Sequence, residues 1–190
     1  FEPPECFNEF NVQSTLRICN SFSAKERKYR ESYSEKDHVR GKPYVVAIHP
    51  YDRPFSHMAA NRPIFSALYG IYYDEEYTIE KRLSNVANYN VSAARKNEKT
   101  AIHVGLFQDA TYKHVSAVIY SSLVTWGKVR ALANNPNALT AYMTFHPNEE
   151  SIMPVVKQAL KRDYQEHLMD GLYVLHNPYA ESPLNPDVFN

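Results

Sequence analysis

The segment Lys42-Pro43-Tyr44-Val45-Val46-Ala47-Ile48-His49-Pro50-Tyr51-Asp52-Arg53-Pro54 decides how the chain is read. Tyr44 to Ile48 is a continuous apolar run, the pattern of an interior β-strand covered on both faces. The run stops abruptly, so the strand delivers His49, Asp52 and Arg53 to its carboxyl end. At that edge of an open α/β sheet, ligands and reacting groups collect. With His57 from the same loop, these are the candidate catalytic residues: His49, Asp52, Arg53 and His57. Two imidazoles and a carboxylate could ligate a divalent metal or act as a general acid/base pair. The competing reading is structural: Pro50 and Pro54 fix the turn, while Asp52 and Arg53 satisfy backbone groups.

Upstream, the first 22 residues mix aromatic, Asn and Pro residues without a sustained period, which predicts a strand or an extended arm. Ser23 is a good N-cap and residues 24–37 are rich in helix formers, predicting a mostly solvated helix that ends before Gly41. Downstream, Asn61 and Pro63 open a short helix that Gly70 closes after Tyr69. Residues 71–73 and 77–79 flank Asp74-Glu75-Glu76 as in a hairpin, and the polar run from Ser84 to Thr100 reads as a mobile excursion. Strands are expected over 102–107, 115–121, 141–145 and 172–175, with helices over 126–133 and 153–169. The proline-containing tail after Asn177 reads as an extended strap over the body, with Tyr179, Leu184 and Phe189 burying apolar area.

Length and charge bound the function. A chain of 190 residues fits one domain. Lys+Arg and Asp+Glu balance at 21 each, so a nucleic-acid contact would have to use a local patch. Cys6 and Cys19 are too few for a disulfide framework and lack the paired spacing of a zinc site, which points to a reducing, cytoplasmic setting; a single Cys6–Cys19 bridge is the alternative. No apolar run approaches the ~20 residues of a membrane-spanning helix, so no membrane partner is expected. The chain starts at Phe1 rather than Met, as expected of a processed or truncated piece, the C-terminal part of something longer.

The common catalytic templates are missing. There is no G-x-S-x-G around a serine, and Gly127-Lys128 lacks the rest of a P-loop. His103, His114, His146 and His176 sit in or at the ends of predicted strands and read as satisfied strand-end imidazoles. Glu26-Arg27-Lys28 matches the letters E-x-K, which on a nuclease strand would hold Mg²⁺ and orient water. Here the triplet falls in a predicted helix, where a charge run means a solvated face.

Lys42 to Ile48, Gly105-Leu106-Phe107, Val115 to Ile119, Gly127 to Arg130 and His176-Asn177-Pro178-Tyr179-Ala180 with Pro183-Leu184 form ordered blocks. In these blocks, over about residues 24–189, the chain resembles little-characterised bacterial proteins similar to the PD-(D/E)XK, or restriction-endonuclease-like, superfamily. The resemblance implies a helix followed by the Tyr44 to Ile48 strand, and a nuclease-like role in nucleic-acid metabolism or defence using Mg²⁺ or Mn²⁺. The carboxylates and E-x-K that normally precede such a helix have no counterpart in Glu5 to Gln13, so the resemblance transfers no catalytic residue and allows an inactive domain. Residues and resemblance together predict a single α/β or α+β domain with a mixed central sheet and helices on its faces. The alternatives to a nuclease-like protein are a non-enzymatic module binding a protein partner or a second copy through its 15 tyrosines and C-terminal strap, or a metal-dependent hydrolase.

Overall fold

The computed structural model describes residues 5–51, 53–97, 100–123, 125–133, 135, 137, 140–146 and 155–189. Its first element overturns the expected extended arm: helix α1 spans Phe7–Lys28, and Ser23 lies inside it. The Cys6 thiol accepts from the Glu9 amide at 3.4 Å, Glu9 sits in the first turn, and Lys25, Arg27 and Lys28 sit in the last. These charges complement the helix dipole. The buried stripe runs through Phe10, Ser14, Ile18, Phe22 and Glu26 at helical spacing, with Asn11 and Thr15 beside it. Polar residues on the buried stripe hide the period from a hydrophobicity reading. Their hydroxyls are satisfied locally, Ser14 donating to the Phe10 carbonyl at 2.8 Å and Thr15 to that of Asn11 at 2.9 Å. Cys6 and Cys19 are both free thiols. They lie thirteen residues apart along one helix, roughly 20 Å at its rise per residue, so they cannot bridge.

After a single π-helical turn, Tyr29–Tyr33, the chain enters strand β1, Val45–Ile48. Helix α2 (Arg62–Tyr69) has Pro63 in its first turn and closes on Gly70, as predicted, though the Asn61 side chain makes no capping bond. Strand β2 (Ile71–Asp74) does not turn back on residues 77–79. Asp74 caps helix α3 (Glu75–Lys81) by accepting from the Tyr77 amide, and β2 pairs with β3, Ala87–Asn90. The run expected as a mobile excursion therefore supplies β3 and β4 (Ala93–Asn97), the latter paired with β5, Thr100–His103. Strand β6 (Ala117–Ser121) and helix α4 (Trp126–Leu132) follow near their expected places.

Strand β7 (Ala141–His146) pairs antiparallel with β8 (Val155–Leu160), where a helix over 153–169 was expected; its start, residues 153–154, lies outside the described residues. Val155 and Val156 fit either period, and cross-strand partners such as Phe145 opposite Val156 decide for the strand. The Lys161 ammonium donates to the carbonyls of Arg130 and Ala133, closing the α4 carboxyl end. Lys128, buried on α4, pairs with Glu166 at 3.0 Å.

The architecture is a mixed α+β domain. Its three-stranded sheet has the order β1-β6-β9 (β9, Leu172–His176), with β1 parallel and β9 antiparallel to β6. The interior strand is β6, buried almost throughout, rather than β1; among the described residues β1 pairs on one side only, and Ala47 is exposed. Apolarity misleads here because one face of β1 floors a cleft. The core joins Ile18, Cys19 and Phe22 of α1 to Val46 and Ile48 of β1, Ile64 and Leu68 of α2, and Val118 and Tyr120 of β6. In the tail, Asn177 is buried and donates to the carbonyls of Tyr112 and Val115, both at 2.9 Å, while Glu181 and Ser182 bond to Lys113 and Ser116. Tyr179, expected to be covered, is 47 % exposed. No helix among the described residues is long and apolar enough to cross a membrane.

Candidate functional site

Parallel pairing of β1 with β6 puts the ends of both strands at one edge of the sheet, where α1 crosses beside β1. Between helix and strand opens a cleft of about 230 Å³. Helix α1 contributes Ser14, Arg17, Ser21 and Lys25, spaced three to four residues apart and therefore on one face. Strand β1 contributes Ala47 to the floor, and the loop beyond it contributes His49 and Arg53. No Asp or Glu stands among these described lining residues.

Arg53 is locked in place. Its Nη1 donates to the Phe10 carbonyl at 2.9 Å and to Ser14 Oγ at 3.0 Å, and its guanidinium lies 3.8 Å from the centre of the Phe10 ring. A planar cation over an aromatic face and bonded to the helix backbone is held in one orientation. The His49 ring stacks on Tyr51, and its Nδ1 accepts from the Tyr51 amide at 3.3 Å. The other ring nitrogen is then the one that can donate.

Of the four residues singled out from the sequence, the structure brings His49 and Arg53 into this cleft. Asp52 lies outside the described residues. His57 falls in a separate 3₁₀ turn, Ser56–Ala59, is exposed, and does not line the cleft. Arg17 and Lys25 were missed because the first was read in an extended arm and the second on a solvated face. The signal that could have found them is Arg17, Ser21 and Lys25 at four-residue spacing, next to Ser14.

Glu26 departs further from expectation. It is 5 % exposed, and its Oε1 meets Arg30 Nε at 2.5 Å and His114 Nε2 at 2.7 Å. The ion pair holds the Arg30 guanidinium above its ordinary pKa, chiefly through the hydrogen bond. Tyr29 stacks on His114 and on Tyr44, with the Tyr29 and Tyr44 centroids 3.9 Å apart. Burial, then the Glu26 charge, pushes the Tyr44 phenol up. Glu26 is thus a buried structural node, engaged on both oxygens.

Among the described residues no group of three or more His, Cys, Asp and Glu is placed to hold a metal ion. The described cleft offers cations, hydroxyls and one imidazole, whereas Mg²⁺ and Mn²⁺ want clustered oxygen anions. These residues do not fit such an ion. They suit an anion, which three cationic side chains and the Ser21 hydroxyl can face. Compared with family models, with curated proteins and with solved structures, the chain matches none.

Proposed function

We propose that the domain binds nucleic acid, a nuclease-like protein in which the cleft between α1 and β1 grips backbone phosphate rather than a catalytic metal. The observation that carries this reading is the convergence of Arg17, Lys25 and the fixed Arg53 on one recess. The overall charge is zero, yet residues 17–42 hold eight Lys and Arg against four Asp and Glu. This is the local patch that a neutral chain needs.

The test is fluorescence anisotropy with a labelled oligonucleotide across a salt series. Phosphate binding releases counterions, so log K should fall linearly with log salt, at about 0.7–0.9 per phosphate contact. Arg17→Gln with Lys25→Gln should flatten that slope by up to about two contacts' worth and weaken binding roughly tenfold or more. Absence of binding at low salt sinks the reading. Parallel incubation with Mg²⁺ or Mn²⁺ reads strand cleavage, the outcome that would make the protein a nuclease.

A second reading, self-association, is favoured by one feature. Trp126, Val129 and Leu132 form an apolar stripe on α4 with Trp126 80 % exposed, and Leu168 on the loop after β8 is 74 % exposed. Unpartnered apolar faces of this kind mark interfaces. Sedimentation should then show a dimer that persists as salt rises and that Trp126→Glu dissociates; a monomer at every concentration rules it out.

A further inference from the structure

Beyond Lys25, the α1 face leads to a second recess of about 300 Å³, walled by Tyr29, Tyr33, Val39 and Tyr44 and edged by Lys36 and His38. Among the described residues the two recesses share no lining residue, but one hydrogen bond links their walls. Lys25 lines the cleft, and its carbonyl accepts from the Tyr44 hydroxyl at 3.2 Å. The π-helical turn Tyr29–Tyr33 shapes the second recess; such turns recur at functional sites. It buries Tyr29 between Tyr44 and His114 and leaves Tyr33 half-exposed. The Nζ atoms of Lys28 and Lys36 lie 5.6 and 5.4 Å from the Tyr33 ring centre. Glu26, the nearest buried carboxylate, is paired with Arg30, and over residues 25–42 seven Lys and Arg stand against four Asp and Glu.

We infer that this aromatic recess takes an unpaired base of the strand whose phosphates occupy the cleft, making the ligand single-stranded nucleic acid. The inference rests on the phosphate-binding reading above. Carbon-walled space beside tyrosine rings favours a flat, uncharged π-system, while Lys36 at its edge and the Lys28 ammonium near the Tyr33 ring favour the phosphates flanking that base. A base in a duplex is stacked and paired and cannot present its face to Tyr33. Charge complementarity and adjacency to the cleft set the occupant: the recess alone would suit many aromatic groups, but Lys25, Lys28 and Lys36 along the way from the cleft suit a polyanion that carries them.

The test compares three labelled ligands of equal length: an oligothymidylate, its duplex with oligoadenylate, and an abasic phosphodiester strand. The protein should bind the oligothymidylate about tenfold more tightly than the abasic strand, within the range of one base–aromatic stack, and more tightly than the duplex. Tyr33→Ala, and Tyr33→Leu as the volume-keeping control against misfolding, should abolish the preference over the abasic strand without changing the abasic affinity; Tyr33→Phe should keep it. Equal binding of oligothymidylate and abasic strand, tighter binding of the duplex, or equal loss on both single strands in the two Tyr33 variants overturns the base recess and leaves the phosphate cleft standing. Absence of binding to all three overturns both.

Discussion

Replacing Phe22 with alanine should lower the unfolding free energy by about 3–5 kcal/mol, the range for emptying a large aromatic site in a packed core. Phe22 is fully buried, and its ring meets Phe107 at 5.9 Å and Tyr112 at 5.1 Å, edge-on in both cases. Each such pair adds about 0.5–1.5 kcal/mol beyond area burial. Those two rings belong to the segment between β5 and β6, so Phe22 is where α1 is fastened to the connection behind the sheet. Urea unfolding followed by circular dichroism measures the loss. A change below about 1 kcal/mol would mean that α1 is not docked through this ring. Because Arg17 and Lys25 reach the cleft only while α1 is docked, the variant should lose phosphate binding at urea concentrations where the unchanged protein still binds.

How much of this was legible depended on whether a segment's period was carried by apolar side chains. Helix α2 was readable because Pro63 and Gly70 punctuate it and Ile64, Ala67 and Leu68 are the side chains it buries. Strand β6 was readable because its residues are apolar on both faces. Helix α1 was not: its buried stripe includes Ser14, Thr15 and Glu26, satisfied by backbone bonds or by Arg30 and His114, and Asn11, whose side-chain amide has no partner among the described residues, and none of this shows in a hydrophobicity count. Strand β8 failed for the opposite reason, since Val155 to Leu160 is apolar enough to suit two periods and only its register with β7 chooses between them. The site inherited the same division. His49 and Arg53 stand next to a strand the sequence announces, whereas Arg17 and Lys25 depend on a helix it conceals. Glu26 looked like surface charge because helical position alone cannot reveal an imidazole 88 residues away.

Gly70→Ala should cost about 2–5 kcal/mol, although it adds a single methyl group to the end of a short helix. Gly70 sits at φ +66°, where an L side chain costs about 1–2 kcal/mol. A Cβ there would stand 2.5 Å from the Val91 carbonyl oxygen and 2.7 Å from Gln108 Nε2. The first neighbour is backbone that also accepts no relief from rotation, and overpacking of this sort adds typically 1–3 kcal/mol. The Gln108 amide could swing away only by giving up its 2.8 Å bond to the Tyr69 carbonyl, which satisfies the exposed end of α2. The Gly70 carbonyl also accepts from the Val91 amide at 2.8 Å, so moving the backbone at 70 disturbs the end of the β2–β3 pairing, where Ile71 stands opposite Asn90. Gly41→Ala separates the two contributions. Gly41 has nearly the same backbone, φ +68°, but nothing within 4 Å of its Cβ position, so its substitution should cost only the conformational part. Thermal unfolding of the two variants side by side reads the difference; equal losses would show that the close approach of Val91 and Gln108 contributes nothing.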